Sequence, residues 1–573
     1  MSRIHRIASV TTVFLASLLS PNLSHAEELN GSVAGGAGSR SESPAKSQAE
    51  TPTDSTERSD PMRAMQNHAY TSLFADWGYW GSSPDRYSTW MNHSNRLIPI
   101  YTFGITLDVL REEGSVYTDE SRLTKLYGAL PADTCVAEAD YFDQTDVYRL
   151  QQQAIAAGKK RVILVVFDGM DWDSTYNAAL YKNGKVTYTE GRGNGLTVQD
   201  YRGAETDFGY FVTSPRLSAC RIDVNAQTVL GGSKPSTGGY DPRRGGGTPW
   251  QPAPQPDYLM GLDRTAPHSV TDSASSATSM TAGIKTYNAA INVDVFGNQV
   301  ETIAHALQRD QQFAIGVVTS VPICHATPAG SYSHNVSRDD YQDLTRDLIG
   351  LPSVAHKTDP LPGVDVLIGG GWGEAKQKDE GQGDNFVPGR QHFDVDDLMR
   401  VSVENGGKYV VAQRTRGQAG GDVIKQATTA AIAGGHRLLG VFGVAGGHLP
   451  FATADGNFDP VPDGKINSTY SSQDVSENPT LADMATAALQ VLDTNANGFW
   501  LMVEAGDVDW ANHANNIDNS IGAVLSGDRA VKAIFDWIEA NDAWSDTAVI
   551  VTADHGHYFK LKNPQAIADA GKQ

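Results

Sequence analysis

Four short stretches of the chain are apolar almost without interruption: Arg161–Phe167, Phe313–Ser320, Phe499–Val503 and Thr547–Ala553. Runs this short, rich in Val and Ile and lacking polar alternation, suit strands buried on both faces. Elsewhere the apolar spacing is helical. Leu481, Met484, Ala485, Ala488, Leu489 and Leu492 share one face, as do Val531, Ile534, Phe535 and Ile538. Asn478-Pro479 reads as the cap and first-turn pair of the first of these helices, and Tyr148–Ala157 also reads as helical. Alternation of strand and helix predicts an α/β fold with a largely parallel central sheet flanked by helices. Ligands of such sheets gather at the carboxyl ends of the strands. There the runs lead into Asp168-Gly169-Met170-Asp171, His325-Ala326-Thr327-Pro328, Glu504 and Asp554-His555.

The rest of the chain frames this region. Arg3 and Arg6, the apolar run Ile7–Leu19 and Ser24-His25-Ala26 predict a signal peptide over 1–26, hence an exported, periplasmic or extracellular protein. No cysteine sits where a lipid would attach, and no other stretch is long enough to span a bilayer, so no membrane anchor is expected. Residues 27–60, rich in Gly, Ser, Thr and Pro, read as a disordered linker. Residues 61–155 carry Trp77, Tyr79, Trp80, Tyr87, Trp90 and Tyr101 and read as a packed N-terminal extension rather than a binding platform. Residues 156–573 are expected to form the main domain. Gly231–Gln255 reads as an irregular surface loop with Arg243-Arg244 in solvent. The formal net charge of -22 argues against nucleic acid as a specific partner. An acidic protein that binds an anion needs local positive charge, which metal ions plus an arginine would supply. Cys135, Cys220 and Cys324 allow one disulfide and one thiol, and their spacing suits no thiolate metal site.

The chemistry centres on Thr271-Asp272-Ser273-Ala274-Ser275-Ser276, a loop turning into a helix. Ser273 is either an ordinary N-cap or a nucleophile held at the positive end of a helix. Asp509 and His513 are four apart and share a face if helical. Oxygen and nitrogen donors without thiolate suit zinc or magnesium.

Together, Asp168-Gly169-Met170, Thr271–Thr278, Lys285-Thr286-Tyr287-Asn288, Ala326-Thr327-Pro328-Ala329, Val503-Glu504-Ala505-Gly506 and Thr552-Ala553-Asp554-His555 resemble the alkaline phosphatase family, in that family's order. The resemblance runs from about Arg161 onward. It implies hydrolysis of small phosphomonoesters through a phosphoserine on Ser273, with two Zn2+ and one Mg2+, in a homodimer. It makes Asp168, Asp554 and His555 ligands of the zinc beside the serine, and Asp509 and His513 ligands of the zinc that activates water. Asp168, Thr327 and Glu504 become the magnesium ligands and Arg338 the phosphate clamp. A sulfatase would need a Cys-x-Pro-x-Arg or Ser-x-Pro-x-Arg motif, which is not found at Ser273. A phosphodiesterase of the same superfamily and a non-catalytic binder of metal or phosphate remain the alternatives.

Three departures follow from the same resemblance. His325 stands where the familiar bacterial form has Asp, which weakens the magnesium site, and Trp510 stands where that form has Lys. His557 reads as a residue that orients a ligand rather than binding metal. The family places a further zinc-binding histidine some forty residues beyond the Asp-His pair, whereas no histidine follows His557 here. The expectation is therefore a C-terminally truncated domain lacking its final strands, poor binding of the second zinc and low activity.

Overall fold

The apolar runs become strands because nothing along them wants water. From Val162 to Val166 every side chain is at most 1% exposed, and each contributes about 1.5–3 kcal/mol relative to exposure. The computed structural model describes residues 60–231, 238–458 and 470–572. The expected signal peptide and residues 27–59 of the expected linker lie outside the described residues.

Ten strands form the main sheet. They are β1 (Ile98–Phe103), β2 (Phe142–Asp143), β3 (Arg161–Phe167), β4 (Thr206–Val212), β5 (Ala314–Pro322), β6 (Val366–Gly370), β7 (Tyr409–Gln413), β8 (Arg437–Val441), β9 (Phe499–Ala505) and β10 (Thr547–Ala553). Their order across the sheet is β7-β8-β6-β5-β9-β3-β10-β1-β4-β2. From β7 to β10 all neighbours are parallel. The four runs read from sequence are the adjacent strands β5, β9, β3 and β10. Beyond them, β1 runs antiparallel to both β10 and β4, and β2 pairs parallel with β4. The fold is thus α/β with a mostly parallel central sheet.

Helix α1 (Asp146–Ala156) starts two residues earlier than its spacing suggests. Next come α2 (Ser273–Ala282), α3 (Ala326–Gly330), α4 (Leu481–Leu492), α5 (Asp507–His513) and α6 (Ile517–Ala540). Helix α4 covers β5 and β6, and α6 lies on β9 and β3. The cap of α4 is not the expected Asn478-Pro479 pair. Thr480 caps it, with the Asp483 side chain reaching back in a capping box. Asn478 instead accepts the Gly443 N–H at 2.6 Å.

The boundary expected near residue 155 is corrected. The described residues all lie within one compact unit, and the aromatic segment supplies β1 and β2 to the central sheet. Trp77, Trp80, Tyr87 and Tyr101 are core, with Trp80 and Tyr101 at most 1% exposed, whereas Tyr79 and Trp90 are half-buried; Trp77 and Trp80 pack on Phe559. The strand beside β10 is β1, from the aromatic segment. Residues 238–255 are mostly irregular, with one helical turn at Pro242–Gly245. Arg243 pairs with Asp133 and Asp241, and Arg244 with Asp263. All three cysteines are free. Among the described residues, no helix is long and apolar enough to cross a membrane.

One buried ion pair fastens the aromatic segment to the chain behind α2. Lys285 Nζ lies 3.1 Å from Asp143 Oδ1, both side chains fully buried. The Tyr117 and Tyr127 hydroxyls donate to Asp143 Oδ2, each at 2.9 Å. Removing one partner strands the other charge in the core. Lys285→Met should therefore cost about 3–5 kcal/mol, and adding Asp143→Asn should recover part of it. Urea denaturation checks this, and an unchanged midpoint for the single variant would disprove it.

Candidate metal centre

Strand register builds the site. Phe167 pairs with Ala553, so Asp168 and Asp554 leave the sheet side by side. Glu504, still within β9, pairs with Thr319 of β5, whose hydroxyl donates to its carboxylate. Gly169 turns the chain at φ 69°, and a Cβ there would stand 2.6 Å from His557 Nε2. Glycine is therefore required for His557 to approach.

Ser273 is the first residue of α2, and the N-cap is Asp272, which accepts from Ser275 N at 3.0 Å. The Ser273 hydroxyl is thus not spent on capping. Its Oγ lies 3.2 Å from His555 Nε2 and 3.4 Å from Asp168 Oδ1. His555 Nε2 is also 3.3 Å from both Asp168 Oδ1 and Asp554 Oδ2. Beside this group, His557 Nε2 is 2.7 Å from Asp509 Oδ1, and His513 Nε2 is 3.4 Å from it. Two clusters could each hold a metal ion: Asp168, Asp554 and His555; and His93, Asp509, His555 and His557.

The donors fit zinc. Ligands about 2.0 Å from a tetrahedral ion are about 3.3 Å apart; Ser273 Oγ, Asp168 Oδ1 and His555 Nε2 lie 3.2 to 3.4 Å from one another, and Asp554 Oδ2 lies 3.3 Å from His555 Nε2. Asp168 Oδ2, Asp554 Oδ2, Glu504 Oε1 and Thr327 Oγ1 are buried without a hydrogen-bond partner. Hard oxygens left over in this way suit a cation such as magnesium.

The remaining expected residues surround this core. Arg338 Nη1 reaches Asp272 Oδ2 at 3.2 Å, and Nη2 lies 3.5 Å from His325 Nε2. His325 is the N-cap residue of α3, which carries Thr327, and its ring meets Trp510 edge-on with centroids 5.8 Å apart. The structure brings the expected site residues to one end of the sheet.

Sequence reasoning missed His93. It stacks on His555 with centroids 3.7 Å apart, and its Nε2 lies 3.6 Å from Asp509 Oδ1 and 3.1 Å from His513 Nε2. His93 thus adds a histidine that lies against Asp509, His513 and His555. The available signal was an unassigned histidine just ahead of the apolar run Leu97–Phe103.

Burial, then the charges of Asp509, Asp554 and Glu504, pushes Asp168 well above the usual carboxylate range. Burial raises Glu504 to about 8 against the hydrogen bond from the Thr319 hydroxyl. It raises Asp554 to about 6 against the Gly169 N–H. Burial would also raise Asp509, but His513, His557 and His93 outweigh it and hold that carboxyl well below the usual range.

The chain is similar to known alkaline phosphatases. The family model for alkaline phosphatase matches residues 254–570. Alkaline phosphatase 3 of Bacillus subtilis is 31% identical over 310 residues, covering 53% of this chain and 54% of that protein. Alkaline phosphatase of Escherichia fergusonii is 30% identical over 331 residues, covering 54% of this chain and 63% of that protein. A cold-active alkaline phosphatase from Shewanella sp. aligns in space with a TM-score of 0.40 and 22% identity, covering 69% of this chain and 68% of that one. With more than half of its residues matched by the family model, the chain belongs to the alkaline phosphatase family. It spans between half and two thirds of the length of the two relatives compared by sequence.

The raised carboxyls carry a pH signature. A carboxyl whose folded pKa exceeds its unfolded value of about 3.9 favours the folded state at low pH. That contribution is lost as pH rises through the folded value. Below about pH 6.5 the buried His555 and His557, both depressed, act in the opposite sense. Metal-stripped protein should therefore lose on the order of 2 kcal/mol between about pH 6.5 and about 8, the window set by Glu504. Zinc and magnesium should flatten the loss. Calorimetry with and without chelator measures both, and a metal-free stability that climbs across this window would contradict the assignment.

Proposed function

We propose that this chain is a metal-dependent phosphomonoester hydrolase working through a phosphoserine on Ser273. The observation that carries this reading is the Ser273 oxygen, unspent at a helix start and 3.2 to 3.4 Å from two buried ligand-type side chains. Asp168, Asp554 and His555 would hold one zinc, Asp509 and His513 would belong to a second, and Asp168, Thr327 and Glu504 would hold magnesium. Bound cations would supply the charge that lowers the serine pKa, activates water and screens the phosphoryl oxygens.

The chain's own residues do the rest. The positive end of α2 favours both the ionised serine and an approaching phosphate. Arg338, steadied by Asp272, presents its guanidinium fork to the phosphoryl oxygens, a role a lysine point charge fills less well. Ser273 Oγ forms the new P–O bond as the bond to the alcohol breaks, and the alcohol leaves. Water then attacks the phosphoserine, releasing inorganic phosphate and restoring the hydroxyl. The transition state of phosphoryl transfer is loose, so holding the groups in line contributes more than covalent assistance. Small phosphomonoesters are the proposed substrates.

Acid-quenching after brief incubation with labelled phosphomonoester should leave label on the protein, and Ser273→Ala should abolish it. The same variant should lower kcat/KM for p-nitrophenyl phosphate on the order of 10³-fold or more. A diester turned over faster than the monoester, or label persisting in the alanine variant, would refute the proposal.

A further inference from the structure

We infer that His93, from the segment ahead of the parallel sheet, completes the ligand set of the second zinc together with Asp509 and His513. The inference takes the metal's role from the phosphomonoesterase reading, but the ligand set comes from geometry alone. His93 Nε2, His513 Nε2 and Asp509 Oδ1 form a triangle with sides of 3.1, 3.4 and 3.6 Å. The point equidistant from all three corners is about 2.0 Å from each, the length of a zinc–nitrogen or zinc–oxygen bond. His557 does not fit the same ion. Its 2.7 Å approach to Asp509 Oδ1 is a hydrogen bond, shorter than the separation of about 3.3 Å between tetrahedral ligands. His557 therefore orients the carboxylate.

The tautomers point the same way. His93 Nδ1 lies 2.8 Å from the Thr271 carbonyl, and His513 Nδ1 lies 2.7 Å from the Met91 carbonyl. A carbonyl only accepts, so each Nδ1 carries the hydrogen, and in the neutral rings each Nε2 presents a lone pair. Two Nε2 atoms facing each other at 3.1 Å share either a proton, as an N–H···N hydrogen bond, or a metal ion that both lone pairs can reach. Backbone carbonyls that fix the far nitrogen are the usual support of a metal-binding imidazole.

Position is fixed locally as well. Ser94 exchanges two backbone hydrogen bonds with Gly556, at 2.6 and 3.3 Å, and Gly556 separates His555 from His557. Arg96 pairs with Asp171 and Asp173, just beyond Asp168. Beyond these anchors, β1 lies along β10 with Ile100 opposite Thr552. In this chain, the segment 88–104 does the work that the family resemblance places after the Asp-His pair.

The test uses the full chain and two variants. Dialysed wild type should hold about two zinc ions, and His93→Ala about one, with affinity for the second site weakened roughly 100-fold. In His93→Cys loaded with cobalt, a thiolate-to-metal charge-transfer band should appear in the near ultraviolet, whether or not the protein turns over phosphate. A folded His93→Ala protein with unchanged zinc content and affinity would overturn the inference, as would a folded His93→Cys protein without the band. If His93→Ala fails to fold, the cobalt spectrum of His93→Cys decides. Lack of phosphoserine labelling in wild type would defeat the phosphatase reading and leave the ligand assignment standing.

Discussion

The structure depends on a concentration of buried negative charge. Asp168, Glu504, Asp509 and Asp554 converge at the ends of three adjacent parallel strands and on the helix that follows one of them, each at most 4% exposed. Their neighbours are histidines, hydroxyls and backbone amides. Burying ionised carboxylates costs several kcal/mol each, and mutual repulsion adds to that. Only cations at the same spot offset such a cost without neutralising the acids. Much else follows: a Gly at 169, an Asp rather than a Ser capping α2, and imidazoles steered by carbonyls.

Much of this was legible in sequence, and the reason is physical. Strands buried on both faces must be apolar throughout, so β3, β5, β9 and β10 announced themselves by composition. A single Asp closing such a run is an ordinary turn residue. Asp168, Glu504, Asp554 and His555 were readable as a set, because several strand ends carried ligand-type side chains together, and the spacing of Asp509 and His513 gave a shared face. Local rules were less secure. Asn478-Pro479 looked like a cap, yet Thr480 with Asp483 forms the reciprocal pair.

What stayed hidden was long-range. Nothing around Ile98–Phe103 says that it will lie antiparallel beside a strand from the far part of the chain. Its Pro99 suggests an edge, yet the Pro99 carbonyl accepts the Thr552 hydroxyl inside the sheet. Aromatic side chains were read as the core of a separate extension, whereas Trp77 and Trp80 close over Phe559. Because the sheet order was unknown, His93 had no visible partner.

That pairing also sets when the molecule can be finished. Thr552 and Pro99 are 453 positions apart, so β1 is synthesised early and must wait for β10 before its hydrogen bonds can form. Closing so long a loop costs little more than closing a moderate one, but contacts of this range are slow to find. Until then β1 has an open flank on the β10 side, and His93 is separated from Asp509. The donor cluster thus cannot be complete until both parts of the chain exist, and damage to residues near 94 or near 556 reaches the same few ångströms of the finished protein.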